Sequence, residues 1–177
     1  MTPTGFILDT DLDTDCDDVG AIAMAHARHR HGTLRLQAVI CSAPVPACGP
    51  CAVLLNRWPG ELVVSPAGDD IQTGATLSGA CPPGNPFRQA YEIHRGGPGR
   101  SRSSWDQEAV LYASGAGNGL FGEIADKGLD YDASTGDHAW SDQVTAAPRR
   151  HVLPIPGPEP MAGLIEPLMV EGARGPA

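Results

Sequence analysis

Residues 5–27 read GFILDTDLDTDCDDVGAIAMAHA, and six of the ten positions from Asp9 to Asp18 are aspartate: Asp9, Asp11, Asp13, Asp15, Asp17 and Asp18. Phe6, Ile7 and Leu8 predict the end of a short buried strand, and Val19 to Ala27 predict an apolar helix. The acids then fall on the loop leaving the strand and on the first turn of the helix. Open α/β sheets place ligands at that edge. Carboxylates this crowded repel one another and call for a counter-charge. No Lys or Arg occurs between Met1 and Ala27. A hard divalent cation, Ca2+ or Mg2+, takes oxygen ligands and supplies that charge.

Simpler readings account for part of the run. Aspartate favours helix N-caps and the positive end of the helix dipole, which explains one or two of the acids. Asp9, Asp11 and Asp13 have the spacing of the first half of an EF-hand loop. The turn glycine of that loop is Thr14 here, and its closing glutamate is Gly20. Phosphatases with an aspartyl nucleophile also follow a strand with Asp-x-Asp. They carry Thr or Val two residues later, where this chain has Asp13.

The run DTDLDTDCDDVGAIA resembles the N-terminal signature of the inosine–uridine nucleoside hydrolase family. That pattern is a strand, Asp-x-Asp, a short loop, Asp-Asp and a helix of small apolar residues. Asp15 matches the additional Asp of longer-loop bacterial members. LRLQAVICSAPVPACGPCAVLLNRWPG, residues 34–60, is similar to the family's second strand and the helix after it. GDDIQTGATLSGACPPGNPFRQAYEIHRGG (68–97) and SRSSWDQEAVLYA (101–113) are similar to its C-terminal segments. Together these stretches cover most of residues 5–113.

The resemblance implies an open, mostly parallel sheet flanked by helices, and Ca2+-dependent hydrolysis of the N-glycosidic bond of ribonucleosides. It implies that Asp11 is both a Ca2+ ligand and the general base, that Asp18 and Asp106 are Ca2+ ligands, and that Asp17 holds ribose hydroxyls. Asp9 would orient the loop. The chemistry is coherent: water near a cation is easier to deprotonate, and carboxylates stabilise an oxocarbenium-like sugar. Asp13 and Asp15 tune the loop or take a ligand position. Three departures stand out. Asp13 replaces the family's usual Gly, and Trp105 replaces the His that helps the leaving base. The chain is also shorter than family members. The part it lacks falls between Arg57-Trp58-Pro59-Gly60 and Glu61-Leu62-Val63-Val64. In relatives that part holds sheet elements, a carbonyl ligand to Ca2+, and the Asn and Glu that grip ribose. The alternative expectation is therefore an incomplete, catalytically inactive relative that binds a cation or a partner protein. Relatives form dimers or tetramers, so a homo-oligomer is expected.

At 177 residues the chain predicts one domain, residues 1–170, with a disordered tail at 171–177. Its 22 glycines, 17 prolines and 5% aromatics weaken the case for a tight core throughout. A net charge of −9 argues against nucleic acid and anionic membranes as partners. No run is long and apolar enough to span a bilayer, and the N-terminus lacks the pattern of a signal peptide. A cytoplasmic protein is expected. The cysteines Cys16, Cys41, Cys48, Cys51 and Cys81 are odd in number and irregularly spaced, unlike a disulfide scaffold.

Beyond the first helix, expected at 18–31 with Asp17 or Asp18 as N-cap, residues 34–41 and 61–65 predict two more strands. Cys51 to Trp58 predict a short helix between them. This β-α-β-α-β order predicts one parallel sheet. Residues 66–86 predict loop, and 86–95 and 104–114 two helices, the second carrying Asp106. A hairpin or irregular structure is expected around Tyr131 to His138 and Val152 to Ile155, and a last short helix at 160–170. Cys48-Gly49-Pro50-Cys51 has the sequence of a thioredoxin-type pair, but Ala47 stands where Trp is usual. His26 and His29 predict a solvated helix face, and Arg95 to Arg102 a loop.

Overall fold

The computed structural model describes residues 4–10, 16–41, 62–64, 68–117, 119–124, 128–131, 138–141, 149–154 and 157–175. Strand β1 (Thr4–Thr10) pairs in parallel with β2 (Leu34–Cys41), and helix α1 (Asp17–Arg30) lies between them in the chain. Phe6 faces Leu36 and Leu8 faces Val39 in the ladder, with the register shifting between Phe6 and Ile7. The expected β-α-β opening is therefore present. Gly32, at φ +67, turns the chain after α1 toward β2.

Among the described residues the strands do not join into the single sheet expected. Strand β3 (Leu62–Val64) pairs in parallel with β9 (Arg149–Pro154), which pairs antiparallel with β6 (Phe121–Ile124). Strands β4 (Gln72–Thr73) and β5 (Arg102–Ser103) form one small antiparallel pair. Strands β7 (Gly128–Tyr131) and β8 (His138–Ser141) form another, in the region where a hairpin is expected. The chain is thus a mixed α/β protein with a small parallel sheet and, among the described residues, no closed barrel. A three-residue apolar strand carries enough pattern to be recognised as a strand. It carries nothing that selects a partner about half the chain away.

Four further helices are described: α2 (Leu77–Ala80), α3 (Pro86–Arg95), α4 (Trp105–Ala113) and α5 (Pro158–Arg174). The start of α3 is written in its sequence. Asn85 accepts hydrogen bonds from the Phe87 and Arg88 amides at 3.0 and 3.1 Å, and Pro86 occupies the first turn. Gly96 ends it in the left-handed conformation. Helix α5 runs well beyond the short helix expected at 160–170, through the start of the expected tail. Its buried stripe of Met161, Ile165 and Met169 continues into buried Gly172 and Ala173. These small residues read as a helix end in sequence, yet they fit where α5 crosses α1. Asn85 fastens that end by donating to the Ala173 carbonyl at 2.8 Å.

Helix α1 is the centre of this packing. Gly20, Ala21, Ala23, Met24, Ala25 and Ala27 are all buried. A Cβ on Gly172 would fall on the Ala23 backbone carbonyl, so the two helices meet backbone to backbone. On the same helix α5, a Cβ on Gly163 would meet nothing within 4 Å. Gly172→Ala is therefore expected to lower stability by about 2–3 kcal/mol through overpacking. Gly163→Ala should raise it by about 0.5–1 kcal/mol by restricting the unfolded chain. Urea unfolding followed by circular dichroism measures both. Equal effects of the two substitutions would contradict the close crossing.

Candidate metal centre

Asp17 and Asp18 occupy the first turn of α1, where the helix dipole favours negative charge. They are only 3% and 1% exposed, unusual burial for carboxylates. The N-cap is Cys16, without a side-chain cap hydrogen bond, rather than Asp17 or Asp18. The two acids thus sit inside the helix, and their carboxylates project from its first turn.

Asp106 reaches the same place from a second helix N-terminus. It lies in the first turn of α4, which follows β5 directly. The Gly68 carbonyl accepts from the amides of Ser104 at 3.0 Å and Ile71 at 3.2 Å. Thr73 and Ser104 share a buried hydroxyl hydrogen bond of 2.6 Å. Gly68, at φ +120, lies so near α4 that a Cβ would be 2.8 Å from the Trp105 Cα. Arg102 stacks its guanidinium over the Trp105 ring, 4.7 Å from the centroid. The start of α4 is therefore anchored on three sides.

One ligand atom from each of Asp17, Asp18 and Asp106 lies within 4.8 Å of the others. At that distance two full charges repel by about 3.5 kcal/mol at an effective dielectric of about 20. The donor set fits a hard cation. Oxygen ligands stand about 2.3–2.6 Å from Ca2+, so two oxygens on opposite sides of one ion are about 5 Å apart. The three carboxylates already lie within that span. Asp17, Asp18 and Asp106, named from the sequence, are brought together. Asp11, Asp13 and Asp15 lie outside the described residues, as do Cys48 and Cys51. Asp9 is placed only by its backbone in β1.

Sequence reading missed the residues packed behind the cluster. Tyr91 of α3 is 2% exposed, and its hydroxyl accepts from Gln107 Nε2 at 2.8 Å. Burial pushes the Tyr91 phenol well above its usual value near 10, and the neighbouring Cys16, Asp17 and Glu166 push it further. Glu166 accepts from the Gly74 and Thr76 amides, the latter at 2.8 Å, and holds the turn that faces Tyr91. The one sequence signal was Gly20, a glycine inside a helix of alanines. The other polar groups singled out from sequence have local roles. His29 accepts from the Leu36 amide at 3.2 Å, and His31 pairs with Glu171 at 2.8 Å. Arg95 donates to the Ser101 carbonyl, and Arg100 to that of Arg95. Burial raises the Cys81 thiol, against the pull of Arg174 and Arg88. No helix among the described residues is long and apolar enough to cross a membrane.

Comparisons of the chain with protein-family models, with curated proteins and with solved structures found no match.

Two outcomes follow from this geometry. If repulsion among the carboxylates is relieved by a cation, Ca2+ at about a hundred times Kd stabilises the protein by about 2.7 kcal/mol. Asp106→Asn should raise the melting temperature of the chelator-treated protein and remove most of the Ca2+ increment. A thermal melt with and without Ca2+ tests both. The second concerns alkaline pH. An unfolded tyrosine ionises near pH 10, while Tyr91 stays protonated in the fold to higher pH. Its contribution is complete below about pH 10 and is lost as pH rises through the folded value. Tyr91→Phe should flatten that alkaline decline in a urea-unfolding series across pH.

Proposed function

We propose that this chain is a nucleoside hydrolase-like N-glycosidase, cleaving ribonucleosides with water in the presence of Ca2+. The observation that carries the reading is the convergence of Asp106 with Asp17 and Asp18. Asp11, Asp18 and Asp106 are the residues that would hold the ion. A bound Ca2+ supplies Lewis acidity toward water and sugar hydroxyls.

The remaining steps belong to the protein's own groups. Asp11, immediately after β1, takes the proton of the attacking water. Asp17 accepts hydrogen bonds from ribose hydroxyls and holds the sugar in one orientation. Positive charge grows on the ribose as the bond to the base breaks, and fixed carboxylates stabilise it. The burial of Asp17 and Asp18 keeps water from screening that field. A base leaving as an anion needs a proton or an electropositive neighbour. Trp105, beside Asp106, donates only through its indole N–H.

That last point favours a second reading, a cation-binding relative without turnover. Base release from inosine and uridine, followed by absorbance, separates the two. The hydrolase reading expects release that a chelator abolishes, Ca2+ restores, and Asp11→Ala lowers by at least a hundredfold. Ca2+ binding without base release would select the second reading. Unimpaired turnover by Asp11→Ala would remove Asp11 from its role.

A further inference from the structure

We infer that Tyr91 and Gln107 are positioning residues, a buried strut that holds Asp106 against Asp17 and Asp18 and so sets the affinity of the site for Ca2+. The inference rests on reading the cluster as a Ca2+ site. Gln107 follows Asp106 in the first turn of α4, and its amide donates to the Tyr91 hydroxyl of α3 at 2.8 Å. Both side chains are buried, Gln107 completely. Their bond ties the helix carrying Asp106 to a third helix that carries no ligand.

The pair bears directly on the helix carrying the other two acids. Gly20 lies two residues after Asp18. A Cβ at Gly20 would be 2.6 Å from the Tyr91 hydroxyl oxygen, 2.8 Å from the Met169 Cε, and in collision with Gln107 Nε2. Glycine there lets the hydrogen-bonded pair touch the α1 backbone one turn from the acids. A second glycine completes the seat. Gly74, at φ +100, presses its backbone against the Tyr91 ring, where a Cβ would overlap the ring carbons. Glu166 holds the turn by accepting from the Gly74 and Thr76 amides. The ring is thereby fixed from both sides, and its hydroxyl has little freedom to leave Gln107.

A purely structural role explains this arrangement poorly. Gln107 Oε1 is buried and has no hydrogen-bond partner among the described residues. An apolar side chain of the same size would avoid that cost. The amide brings one contribution that an apolar residue lacks, a directional bond that fixes the rotation and depth of the α4 first turn. Three carboxylates within 4.8 Å push their helices apart, and a directional tie resists that push.

The test is Ca2+ titration by calorimetry on the full chain, after chelator treatment, for the parent, Tyr91→Phe, Gln107→Met and the double variant. Tyr91→Phe removes one oxygen and keeps the ring. Gln107→Met keeps length and removes the amide. Each single variant should weaken Ca2+ about tenfold. The double variant should be no weaker than either single, because one shared bond is lost. Ile165→Val, a core change that leaves the Tyr91–Gln107 bond intact, controls for general loosening and should bind as the parent does. Single variants that bind like the parent overturn the strut and leave the metal centre standing. So does an Ile165→Val variant that weakens binding as much as they do. A parent that binds no Ca2+ removes the metal centre, and the strut falls with it.

Discussion

Everything described around the acidic cluster depends on how closely other elements approach α1. Its buried face is Gly20, Ala21, Ala23, Met24, Ala25 and Ala27, nearly free of side-chain bulk. Helix α5 comes near enough that Gly172 rests on the Ala23 carbonyl, and the Tyr91–Gln107 pair rests on Gly20. Large side chains on α1 would hold those neighbours a layer farther away. Close packing of small residues limits the apolar area each residue removes from water. It compensates by multiplying van der Waals contacts between backbones. The core this builds is narrow, and Met24, Met161 and Met169, flexible and unbranched, fill the gaps left between rigid backbones.

That proximity is also what gathers charge. The first turns of α1 and α4 point into one region, and each brings acids that its own dipole favours. Either helix alone would carry its carboxylates into water at little cost. The Gly68 carbonyl and the Thr73–Ser104 hydroxyl pair fix the start of α4, the Tyr91–Gln107 pair rests on Gly20 of α1, and the acids of the two helices share one space. Folding energy from apolar contacts is thus partly spent on an electrostatically unfavourable cluster.

Some elements were fully legible before any coordinates. Helix α3 forms where it was expected, at 86–95, and Asn85, Pro86 and Gly96 supply the reason, because capping is local chemistry between residues a few positions apart. Strand β2 and helix α1 were readable from periodicity over their own lengths. The extent of α5 was not. Pro167 and the Gly-Ala-Arg-Gly run lower its local preference for helix, and only contact with α1 repays that preference. The partner of β3 was not legible either, since pairing over a long sequence interval leaves no trace in three apolar residues. At the site, Asp17, Asp18 and Asp106 were named from residue pattern and family resemblance. Tyr91 and Gln107 were not, because a buried polar residue on a helix looks like any exposed one in sequence, and half-buried Glu166 reads as an ordinary solvated helix acid.

The amino-acid sequence by itself determined the local elements and the dense charge from Asp9 to Asp18, since both follow from short-range sterics, capping and composition. Only the tertiary structure decided that Asp106 joins that charge and that β3 pairs with β9. It alone seats a tyrosine and a glutamine against a glycine beneath the acids. These are matters of distance between residues far apart in the chain. Distance is set by how tightly helices can pack, which depends on the shape of every surface at the contact and not on any one stretch of residues.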